Sequence, residues 1–64
     1  MKISDALEHF GLKTTDKITK QGLLDIIKIN DGLMRQTLSN QEREKCKKEI
    51  EAAQTILDFW ERKQ

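Results

Sequence analysis

The stretch SNQEREKCKKEIEAAQTILDFW, residues 39–60, decides the fold. Ser39 followed three positions later by Glu42 has the form of a capping box, in which the serine hydroxyl caps a helix and the glutamate reaches back to the cap. Cys46, Ile50, Ala53, Leu57 and Trp60 then recur in steps of 4, 3, 4 and 3, the spacing of one helix face. Ala52, Ile56 and Phe59 add a second apolar stripe in the C-terminal half. Glu44–Lys48, Lys45–Glu49, Lys47–Glu51 and Asp58–Arg62 stand at i, i+4 with opposite charge, each pair contributing about 0.2–0.5 kcal/mol to a helix. A long helix is expected over about 40–62.

Reading backwards from Ser39, a second helix is expected over about 19–38. Thr19 is its N-cap, with Ile18 and Leu23 at the spacing of a hydrophobic staple. Leu23, Ile27, Asn30, Met34 and Thr37 mark its face, widened by Leu24, Ile26, Leu33 and Leu38. Asn30-Asp31-Gly32 reads locally as a turn. The apolar phase nevertheless matches on both sides, so one uninterrupted helix is the preferred reading. Asn30 then falls on the inward stripe opposite Ile50, where a buried amide would need partners and can fix the register of paired helices.

The N-terminal segment reads as a short helix over about 4–11, with Ser4 as N-cap and Asp5 in the first turn. Ile3, Leu7 and Phe10 share a face, and Gly11 supplies a left-handed C′ residue for a Schellman stop pairing Leu12 with Leu7. So short a helix is unstable alone and must dock. The fold class is therefore all-α: a short N-terminal helix docked on a long antiparallel helical hairpin, one domain over 1–64. The candidate core is Leu7, Phe10, Leu23, Ile27, Met34, Cys46, Ile50, Ala53, Leu57, Phe59 and Trp60, with Ile3, Leu7 and Phe10 expected against Ile56, Phe59 and Trp60.

Composition supports this class. The chain has no Pro, Val or Tyr, and its 36% charged content is rich in the Lys and Glu that favour helix. Twelve basic and eleven acidic residues nearly cancel, which does not favour a polyanion partner. No apolar run approaches the roughly 18 residues a membrane span requires. A single cysteine and a start without an apolar core point to the reducing cytoplasm. Nine Lys against three Arg, with seven Ile, is a usage typical of AT-rich genomes.

Few residues are placed to carry chemistry. His9 is the only imidazole and sits near a helix end, where a cation is favourable. Cys46 lies on the packed stripe and reads as a small core hydrophobe. One Cys and one His fall short of a structural zinc site, and Asp16, Asn30 and Asp31 do not complete a calcium loop. The glycines are scattered, so no phosphate loop is present. The run Arg43–Lys48 mixes glutamates with its bases and reads as a solvated face. No cofactor, metal or catalytic residue is expected, and no enzymatic activity.

What stands out is an excess of apolar surface on the second helix. With Leu23, Ile27 and Met34 facing the third helix, Ile26, Ile29 and Leu33 turn aside at i, i+3 and i+7. A contiguous patch of this kind marks association. The expected function is a non-enzymatic protein–protein interaction or regulatory module, with this stripe facing another protein or a second copy in a four-helix-bundle-like homodimer. Small helical hairpins occur among phage or prophage accessory proteins and adaptors, an analogy of architecture alone. The alternative is a DNA-binding regulator using residues 3–28, where Ile3, Ala6, Leu7 and Gly11 loosely resemble a helix-turn-helix. The 12–18 connection exceeds the usual turn, however, and arginine, the best reader of base edges, is absent before Arg35.

Overall fold

The chain passes from one long helix into the next within three residues, Thr37-Leu38-Ser39. In the computed structural model, which describes residues 1–63, the order is α1 (Ile3–His9), a 3-10 turn at Thr15–Lys17, α2 (Lys20–Gln36) and α3 (Asn40–Lys63). Helices make up 81% of the described residues, which include no strand, and α3 packs against both α2 and α1.

Local chemistry sets the helix ends. Thr19 is extended (φ −94°, ψ 162°), and its Oγ1 accepts the Gly22 N–H at 3.0 Å, which opens α2. Gly11 adopts φ 69°, the Leu12 N–H donates to the Leu7 carbonyl at 2.8 Å, and the Gly11 N–H donates to Glu8 at 3.0 Å. These are the two bonds of a Schellman stop. The start of α1 differs from expectation. Lys2, not Ser4, is the cap residue, and no side chain caps it. A cap at Ser4 would hold that residue out of helical geometry; starting at Ile3 instead carries the Ile3 side chain onto the core.

Asn30-Asp31-Gly32 remains helical, as the matched phase on either side required. The Asn30 amide does not look across to Ile50 for a partner. Its Nδ2 donates to the Ile26 carbonyl at 2.8 Å, one turn back in its own helix. Meanwhile α2 ends at Gln36, short of Leu38, because Thr37 turns extended (φ −84°, ψ 144°) to build the cap of α3. The Ser39 N–H donates to Thr37 Oγ1 at 3.2 Å, the Thr37 hydroxyl donates to Glu42, and the Glu42 N–H donates to Ser39 Oγ at 3.4 Å. The capping box thus closes through an inserted hydroxyl: Glu42 reaches Thr37, and Thr37 reaches the Ser39 N–H.

At the centre, Ala6, Leu23, Ala52, Ala53 and Ile56 are completely buried, with Leu57 nearly so. Ile3, Leu7, Phe10, Ile18, Ile26, Ile27 and Trp60 pack around them. Cys46 is buried, whereas Met34, Ile50 and Phe59 are half-buried. The Met1 amino group lies 3.4 Å from Glu51, and His9 Nε2 lies 2.9 Å from Glu49 Oε1. Glu49 and Glu51 project from nearly opposite sides of α3, about 200° apart. Ile3 and Ser4 at the start of α1 lie by Thr55, Asp58 and Phe59 of α3, while His9 at its end reaches Glu49, so α1 covers the stretch of α3 between them. Ala6 of α1 is buried in the same cluster as Ala52 and Ala53 of α3.

The four charge pairs expected along α3 do not close among the described residues. Glu49 and Glu51 bond to His9 and Met1 instead, and the i, i+4 ion pair that forms is Arg35–Asp31 at 3.3 Å. Exposed pairs of long side chains gain little from holding one geometry, so a partner fixed by the fold prevails.

Candidate interaction surface

The charges of α2 are segregated around its axis. At about 100° per residue, Lys20, Lys28, Asp31 and Arg35 fall within roughly a quarter of the circumference. The side bearing Gly22, Ile26, Ile29, Asn30, Leu33 and Gln36 carries none, with Asp25 at its border.

Part of that side is covered. Ile26 is half-buried and packs against the core. A Cβ at Gly22 would come within 3.4 Å of Ile18 Cγ1, which places the connection from α1 over this end of the stripe. Beyond it the stripe is open: Ile29 is 61% exposed and Leu33 49%. Leu38, in the turn, is 96% exposed and continues the patch. Of the three residues first singled out, Ile29 and Leu33 therefore lie at the surface, Ile26 turns inward, and Leu38 takes its place.

Beside this strip runs an open groove of about 860 Å³ between the C-terminal half of α2 and the N-terminal half of α3. Leu33, Leu38 and Cys46 supply its apolar lining, and Glu42, Lys45 and Glu49 its charged lining. It exists because α1 is short. At its C-terminal end α1 reaches Glu49 through His9 and then stops, so the hairpin between Glu49 and the turn has no third helix on this side. The two acidic side chains at the rim are already engaged, Glu42 with Thr37 and Glu49 with His9. The opposite side of the turn is polar, with Asp31, Arg35, Asn40, Arg43 and Lys47 around a half-buried Met34.

Groups able to do chemistry are sparse. No cluster of three His, Cys, Asp or Glu residues that could hold a metal occurs among the described residues. Cys46 is a buried free thiol at the edge of the groove, and His9 meets Glu49 and packs edge-on against the Phe10 ring, with centroids 5.1 Å apart. Residues 3–28, the alternative nucleic-acid segment, comprise α1, a connection containing the 3-10 turn, and the first half of α2. No helix among the described residues is long and apolar enough to cross a membrane.

Leu38 was missed at the sequence level because it was read as the last residue of a helical stripe. The signal that would have found it is Thr37 two residues before a serine cap, a hydroxyl able to end one helix while starting the next. Comparison with known proteins finds no matching family model, no matching curated sequence and no matching solved structure.

Proposed function

We propose that this chain is a non-enzymatic helical interaction module, of the adaptor or small regulator type, acting in the cytoplasm. The observation that carries the reading is the uncharged, apolar strip Ile29–Leu33–Leu38 beside a groove that α1 leaves uncovered. An open groove between two helices suits an amphipathic helix laid in with its apolar side down. The surface is small, so recognition rests on a few apolar anchors surrounded by Asn30, Gln36 and Thr37.

The test compares the wild-type chain with an Ile29→Glu/Leu38→Glu double variant as immobilised baits in host extract. Both sites are exposed, so the variant should keep its helical dichroism. The reading expects polypeptides held by the wild type to be absent from the variant, and it fails when the two baits retain the same set. Titration with duplex DNA provides a second check. Affinity that falls steeply with salt would shift the function to residues 3–28.

A further inference from the structure

We infer that α1 is a releasable strap, which opens from α3 while the α2–α3 hairpin stays folded, and that its position sets how far the groove runs along α3. The second half of this inference rests on the interaction reading above and names how that surface is regulated. α1 and the groove occupy one side of α3. Glu42, Glu49 and Ile56 recur every seven residues, which keeps them within about 40° of one another around the helix. Glu42 and Glu49 line the groove, whereas Ile56 is completely buried in the cluster that holds Ala6. The groove therefore ends where α1 begins to cover α3, at the His9–Glu49 contact.

α1 is held less firmly than the hairpin. It has seven residues, of which Ala6 is the buried one, and its cap residue Lys2 makes no side-chain hydrogen bond. A helix that short melts when it leaves its neighbour. The contacts at its two ends, Met1–Glu51 and His9–Glu49, are between partly exposed groups, where an ion pair contributes little. Residues 10–19, which join α1 to α2, are all exposed or half-buried.

The hairpin has supports that α1 does not supply. Thr19 caps α2, and Thr37, Ser39 and Glu42 tie the turn into α3. Cys46, near that turn, is buried without belonging to the cluster around Ala6. Segments with few buried contacts open at a lower free energy than the units they lean on. Opening of α1 uncovers Ala52 and Ile56, and the open side of α3 then runs on past Glu49.

Native-state hydrogen exchange on the whole chain tests the opening. The amides of Ala6, Gly11 and Leu12, bonded within α1 and its stop, should be at least about tenfold less protected than those of Ala53, Ile56 and Leu57. Their exchange should also depend less on urea, because less surface is exposed. Ser39→Ala weakens the hairpin alone, so it should speed exchange of the hairpin amides about fivefold and leave the α1 amides unchanged. Equal protection throughout, or an equal acceleration of both sets by Ser39→Ala, overturns the strap. Thiol labelling tests the groove. In a Cys46→Ser chain, an Ala52→Cys thiol should react with the opening constant of the α1 amides. Reaction only with the constant of the hairpin amides overturns the lengthening of the groove. The interaction reading survives either failure, because the bait experiment probes Ile29 and Leu38 with α1 in place.

Discussion

His9 and Glu49, forty residues apart in the chain, meet at 2.9 Å and fix where α1 ends against α3. The Met1 amino group, just before α1, lies 3.4 Å from Glu51. Between them Ala6 is completely buried.

The docking of α1 should depend on Ala6 far more than on the His9–Glu49 contact. The His9 and Glu49 side chains are 26% and 33% exposed, so solvent screens them, and His9→Ala should cost no more than about 1 kcal/mol. Ala6→Leu adds bulk where none fits and should cost about 1–3 kcal/mol by lifting α1 from α3. Urea unfolding of the two variants measures both. A larger loss for His9→Ala than for Ala6→Leu would show that the ends, not the contact, hold α1.

Two glycines should respond in opposite directions. A Cβ at Gly32 meets nothing within 4 Å and the backbone there is helical, so Gly32→Ala should stabilise by up to about 1 kcal/mol, several degrees in Tm. Gly11 also has open space, but its φ of 69° penalises any side chain, so Gly11→Ala should destabilise by about 1 kcal/mol. Thermal melts decide both, and a lower Tm for Gly32→Ala would contradict an unstrained helix at 30–32.

Asn30→Leu should raise the melting temperature. The Ile26 carbonyl that Asn30 bonds is also the i−4 acceptor of the α2 backbone, so the substitution strands no buried group. It exchanges a half-buried amide for apolar surface and should add about 1 kcal/mol. Because the amide stays within its own helix, it does not set the register between α2 and α3. A fall in Tm would mean that the Asn30 side chain contributes more than this bond.

The α2–α3 turn should fail as a unit. Thr37→Val removes both the acceptor of the Ser39 N–H and the donor to Glu42. Ser39→Ala removes the acceptor of the Glu42 N–H. Each should cost about 0.5–2 kcal/mol, and the double variant should lose less than the two losses combined, since the three residues share one network. Strict additivity in a double-mutant cycle would show that the bonds act independently.

The sequence by itself determined the features that depend on residues within one helical turn of each other. The Gly11 stop, the Thr19 cap, the Ser39 start and the continuous phase through Asn30-Asp31-Gly32 follow from local hydrogen bonding and 3.6-residue periodicity, which the chain carries wherever it packs. Ile29 and Leu33 were legible as surplus apolar positions for the same reason.

Only the tertiary structure decided how α1 meets α3, and with it the shape of the surface. Periodicity identifies an inward face but not the angle at which it lies on its neighbour. The packed structure shows Ala6 in one buried cluster with Ala52 and Ala53, His9 at Glu49, and the Met1 amino group at Glu51. Local capping rules and periodicity likewise could not foresee that Ser4 would give up a cap so that Ile3 reaches the core, or that Thr37 would end α2 early and leave Leu38 exposed. Each of these outcomes weighs a local preference against a contact made elsewhere, and that contact exists only once the helices are packed together.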